Sequence, residues 1–234
     1  FTVGRGDRNQ GGATLVDLAT SSGLNFVVFT LFSTVSFLLV VVVALFFGDT
    51  VASEASWSSL RYLLAAPVPR ARLLGRKAAV AALLSVGALV LLPAVALVVG
   101  VLAYGAGALV SPTGQSLGFL AAAGRLALVP AYLVVHLAWV AGLAMLLSVS
   151  TDAPLGAVGG AVLVSILSQI LETIPALGKL RDYLPTRFNS AWADLLASPL
   201  DWTHLASGAF SGLAYATIFA LAAWYRFTTK DITS

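Results

Sequence analysis

The 234 residues are 59% hydrophobic and only 10% charged, with a mean hydropathy of +0.95, against roughly 25% charged residues in an ordinary soluble domain. That excludes a soluble globular chain and describes an integral membrane protein, better counted in spans of about 20 apolar residues than in soluble domains. The net charge is +3 and its basic residues sit beside apolar runs, which fits lipid head groups and membrane orientation rather than nucleic acid. There is no cysteine, which removes disulfides, thiolate metal sites and thiol nucleophiles.

Residues 1–23 are rich in Gly, Thr, Ser and Asp and have the composition of a loop leading up to a membrane. The Arg5-Gly6-Asp7 tripeptide in it reads as a turn. The chain starts at Phe1 with neither a methionine nor a signal pattern, so an upstream segment is expected. A first span is expected over 24–47, apolar and crowded with β-branched residues but long enough to cross hydrocarbon as a helix. Asn25, at its start, needs only interfacial water.

Residues 49–77 then interrupt the apolar pattern. Trp57, Leu60, Leu63 and Leu64 fall on one side of a helical wheel and Glu54, Ser58 and Arg61 on the other, the pattern of a helix lying at a surface. Pro67 and Pro69 stop that helix. A basic cluster, Arg70, Arg72, Arg76 and Lys77, follows where the chain returns into the membrane.

The stretch resembles the loop after the second span of type-2 ABC-transporter permeases. The residues that carry the match are Asp49, Ala52, Glu54, Leu60, Arg61, Leu63, Leu64, Pro67, Arg70, Leu73, Leu74 and Lys77. Where many members have Gly-Thr four and five residues after the glutamate, this chain has Ser58 and Ser59. The resemblance is specific here and diffuse over the rest of the chain.

Further spans are expected over 78–104, with a kink at Pro93, and over 117–149, bent at Pro130 or tilted because of its length. A turn at Ser150 to Pro154 carries helix-start residues. The fourth span, 155–174, holds Gly156 and Gly160 at a spacing that permits close helix approach. Residues 175–204, broken by Pro175, Pro185 and Pro199, read as short helices on the membrane surface, with Trp192 and Trp202 as interfacial anchors. The last span is 205–225, with the small pair Gly208 and Gly212, before a polar tail.

With five spans, the 49–77 loop, the Ser150 turn and the C-terminus share one side. That side carries seven Lys and Arg and the other carries five spread over longer segments, so the loop side is expected to be cytoplasmic. An extracellular N-terminus without a signal is awkward. The resemblance implies six spans with both ends inside, and a missing N-terminal span would remove the difficulty.

No phosphate-binding loop is present, because Gly178-Lys179 lacks the upstream glycine and the following Ser or Thr. Neither a His-Glu-x-x-His nor a Gly-x-Ser-x-Gly pattern occurs. Polar residues inside spans remain as candidates. Tyr132, His136 and Trp139 share a face of the third span and either line a substrate path or act as interhelical glue. Arg125 and Glu172 lie near the outer ends of neighbouring spans, as an ion pair or as side chains snorkelling to head groups.

The expected protein is an all-α polytopic membrane helix bundle, a single permease domain in the bacterial cytoplasmic membrane. By the resemblance it is the non-catalytic permease subunit of an ATP-driven exporter of drugs, antibiotics, lipids or other amphiphiles. Glu54, Ser58 and Arg61 would couple it to a separate cytoplasmic ABC ATPase holding ATP and Mg, with no cofactor in this chain. A second permease copy or homologue and membrane lipids would be its other partners. A membrane scaffold without transport and an ion-coupled carrier are the alternatives; the carrier would be expected to show acidic residues at mid-membrane, and none are present in the expected spans.

Overall fold

The computed structural model describes residues 15–56, 69–111, 115–197, 200 and 202–229. Their order is α1 (Leu15–Ala19), α2 (Gly23–Thr34), α3 (Leu38–Ser56), α4 (Arg70–Tyr104), β1 (Leu109–Val110), β2 (Ser116–Leu117), α5 (Phe119–Leu126), α6 (Val129–His136), α7 (Ala138–Ser150) and α8 (Pro154–Glu172). Two 3-10 segments, Pro175–Tyr183 and Ala191–Leu196, and α9 (Thr203–Thr229) complete it. Among the described residues five stretches are long and apolar enough to cross a membrane: Leu38–Ser56, Ala71–Tyr104, Phe119–Ser150, Pro154–Glu172 and Thr203–Thr229.

The helices run up and down and define two ends. At the loop end, α3 finishes, α4 begins and α7 turns into α8. At the cap end lie α1, the β1–β2 pair and the 3-10 segments. α7 is central, packing on α9, α3 and α8, while α2 packs on α4. Leucines and aromatics on α4, α8 and α9, among them Leu83, Leu102, Leu155, Phe210 and Trp224, face outward. An apolar outer surface on a bundle of this composition is what hydrocarbon as solvent requires.

The first span departs from the expectation of one helix over 24–47. It is broken at residues 35–37, and α3 continues to Ser56. Three back-bonding hydroxyls cluster just before the break. Thr30, Ser33 and Thr34 each donate a hydroxyl to the carbonyl four residues back, a competition that bends helices. The extension past Phe47 shows that the change in composition does not mark the end of the helix. Thr50 bonds back to Phe46 and Ser53 to Asp49, inside the helix. Of the helix expected on the membrane surface, Val51 to Ser56 therefore belong to α3, and residues 57–68 lie outside the described residues.

α4 runs through Pro93 as one helix of 35 residues. The third span is interrupted at Ala127–Leu128, just before Pro130, and again at Leu137. A proline there removes one amide donor from the ladder and crowds the preceding turn. α8 starts at Pro154 with Ala153 as its N-cap and no side-chain cap; Thr151 instead accepts the amide of Ala153 within the turn.

Small residues set the closest approaches. A Cβ on Gly212 would stand 2.7 Å from the His136 carbonyl oxygen, so α9 crosses the α6–α7 junction backbone to backbone. Gly23 and Gly100 join α2 to α4 in the same way. Such contacts hold membrane helices together, because lipid tails remove the hydrophobic incentive to associate.

Candidate functional site

At the loop end the flanks of the 49–77 stretch are tied together. The Lys77 ammonium bonds to the Glu54 carboxylate and donates to the Thr50 carbonyl at 3.0 Å. With side-chain exposures of 18% for Lys77 and 26% for Glu54, the pair is partly desolvated, which strengthens it relative to an exposed one. One helix turn away, the Ser148 hydroxyl oxygen of α7 accepts from the amides of both Val51 and Ala52, at 3.0 and 3.1 Å. A hydroxyl inserted against a helix ladder fixes the neighbouring helix in place.

This changes the expected division of labour among the charged residues. Glu54, expected to face a partner, is engaged by Lys77 inside the chain. In the basic cluster Lys77 turns inward and Arg72 and Arg76 are exposed. The cluster forms the first turns of α4 rather than a loop before it. Arg70 begins that helix, and Ser58 and Arg61 lie outside the described residues.

The residues expected along a substrate path are buried, at 8% exposure for Tyr132 and 0% for His136 and Trp139. Tyr132 and His136 stack with ring centroids 5.5 Å apart, and both reach the cap. Tyr132 donates its hydroxyl to the Phe188 carbonyl at 2.9 Å. His136 Nδ1 lies 3.2 Å from the Gly208 carbonyl and Nε2 lies 2.9 Å from the Asn189 side-chain amide. Because a carbonyl only accepts, Nδ1 carries a hydrogen toward Gly208, while Nε2 faces the Asn189 side-chain oxygen. Trp139 stands beyond the break at Leu137, on α7.

Arg125 and Glu172 do not pair with each other. Arg125 donates to the Ala197 carbonyl at 2.8 Å, and Glu172 meets Arg187 at 3.4 Å. Asn25 bonds to both main-chain groups of Val110, at 2.8 and 2.9 Å, rather than resting on water alone. Trp192 is 1% exposed against Phe32 and so packs in the core, whereas Trp202 is exposed. For Arg125 and Asn25 the partner is a main-chain group, for Glu172 a guanidinium and for Trp192 a ring, each from another part of the chain. No spacing within one span could announce it.

Ser168 to Thr186 and Tyr215 to the Tyr183 carbonyl are further ties between the cap and the helices, at 2.8 and 2.6 Å. Among the described residues no group of three His, Asp or Glu could hold a metal ion.

Fold and polar ties together define a multi-pass, all-α membrane bundle braced by a clasp at one end and a cap at the other. Comparison with family models, with curated proteins and with solved structures finds no match.

Proposed function

We propose that the chain is the membrane-spanning permease subunit of an ATP-driven ABC exporter. The observation that carries this reading is the clasp. Residues of the stretch that resembles the type-2 permease loop, Ala52, Glu54 and Lys77, meet at one end of the bundle. Two spans, α3 and α4, are thereby joined at the base of the loop to each other, and α3 to the central α7. A subunit with no phosphate-binding loop of its own needs a cytoplasmic element to receive the movement of an ATPase. A loop clasped to the spans can pass a push to three of them at once.

In this reading the loop end faces the cytoplasm of a bacterial cell membrane. Ser58 and Arg61 meet the ATPase, while Glu54 orients the loop through Lys77. ATP and Mg are held by the partner, and a second permease copy completes the exporter. The substrate is an amphiphile such as a drug, an antibiotic or a lipid.

The test is co-expression with a cognate ATPase. Arg61→Glu should leave the chain inserted and folded but weaken ATPase capture and substrate-stimulated hydrolysis in vesicles, because a reversed interface charge can cost several kcal/mol. Wild-type capture and hydrolysis would remove the coupling role. Single cysteines check the orientation. Ser116→Cys at the cap end should react with an impermeant thiol reagent in intact cells, and Ala153→Cys at the loop end should not.

A further inference from the structure

A groove of about 640 Å³ lies between α2, α4 and the α5–α6 pair, and every residue lining it is Val, Leu, Ala or Pro. None of the polar ties described above borders it. It opens sideways, past Val86 and Val90, which are 38% and 48% exposed, and past the exposed alanines Ala94, Ala127 and Ala131. The small side chains and the two prolines, Pro93 and Pro130, leave the space between the helices unfilled. A site of this size is in the range of small-molecule sites, but those place a few polar groups to orient a ligand. This one is mostly apolar and carries no polar side chain, so a polar ligand or water would lose most of its partners on entering.

Position names the occupant. On α5–α6 the groove runs from Ala123 to Val134 and on α4 from Leu97 to Val86, in each case about 16 Å at the helical rise. It starts one to two turns inside the cap end. That length is close to the ~15 Å depth of one leaflet, half of a ~30 Å hydrocarbon core. The mouth faces the bilayer, whose own solvent is hydrocarbon chain.

We propose that this groove is a site for one acyl chain of a membrane phospholipid from the leaflet at the cap end. An acyl chain needs no polar partner, reaches the mouth by lateral diffusion and fills a void that would otherwise cost dispersion contacts along α2, α4 and α6. The proposal needs only the membrane-spanning bundle and no transport role.

The full chain would be reconstituted in phosphatidylcholine and phosphatidylglycerol vesicles carrying a trace of phospholipid with a diazirine midway along one acyl chain, then irradiated and the labelled residues mapped. Labelling at Ala94, Ala131 and Val134 should exceed that at Leu83, Leu102 and Leu155 several-fold, although these leucines are more exposed to lipid. Ala131→Trp, which fills the groove, should abolish the excess and leave Leu155 labelling and the melting temperature unchanged. If that variant folds poorly, Ala127→Phe at the mouth gives the same reading. Equal labelling of groove and leucines would overturn the proposal. So would an Ala131→Cys disulfide between two copies accompanied by an unlabelled groove, which would make the surface a contact between chains.

Discussion

Gln169 Nε2 of α8 donates to the main-chain carbonyl of Ser36 across 2.8 Å, joining residues 133 positions apart in the chain. Ser36 lies in the break between α2 and α3, outside both helices. The glutamine thus provides what the interrupted ladder does not. Gln169→Leu keeps the bulk and removes the donor. It should destabilise the protein by about 1–3 kcal/mol, the cost of a buried acceptor left unpaired, read as a lower unfolding midpoint in detergent micelles. Hydrogen exchange at Phe37 to Val41 should quicken more than in α9.

The Glu54–Lys77 clasp predicts recovery on exchange. Glu54→Lys and Lys77→Glu each place like charges together in a partly desolvated site and should cost about 1–3 kcal/mol, between exposed and buried pairs. Both changes in one chain should restore most of the loss. A double-mutant cycle on unfolding measures the coupling, and strictly additive costs would show that the two side chains act separately.

The crossing of α9 over α6 and α7 predicts a contrast between two glycines. Gly212→Ala puts a methyl group against main-chain oxygens that cannot give way, and should lower stability by about 1–3 kcal/mol. Gly159→Ala meets nothing within 4 Å and should be neutral or gain up to about 1 kcal/mol from helix propensity. Melting temperatures of the two purified variants decide it.

The cap depends on Asn189. Asn189→Leu leaves one ring nitrogen of the fully buried His136 without its partner, at a cost of about 1–3 kcal/mol. Limited proteolysis should then cut within 175–197 faster than in the wild type, while the rate of cutting at the loop end stays unchanged. An unchanged cutting rate would mean that Tyr132 and Ser168 hold the cap without His136.

Much of the architecture was legible because the membrane imposes it. Apolar runs of about 20 residues must be helices, and 175–204, with its prolines and polar residues, could only be short pieces. The break at 35–37 was legible only in hindsight, through Thr30, Ser33 and Thr34, because their effect depends on hydroxyls turning back onto the ladder. Trp192 was read from its chemistry as an anchor, yet Phe32 buries it. Arg125 and Glu172 were near enough in the expected topology to pair, but main-chain and cap groups reach each of them first. What sequence order did not carry was the set of partners supplied by residues 175–202.

Ser148 has a mechanical consequence. Its one hydroxyl oxygen accepts from two successive amides of α3, so shifting α3 along α7 by a single residue, about 1.5 Å, would break at least one of the bonds. Rotation of α3 about its own axis would carry both amides away from the oxygen. Tilting about that contact preserves both bonds. Sliding and spinning are therefore the costly motions of α3, and rocking with Ser148 as fulcrum is the cheap one. The lever arm is longest toward the break at Ser36, so small displacements beside the loop become larger ones at the far end of α3.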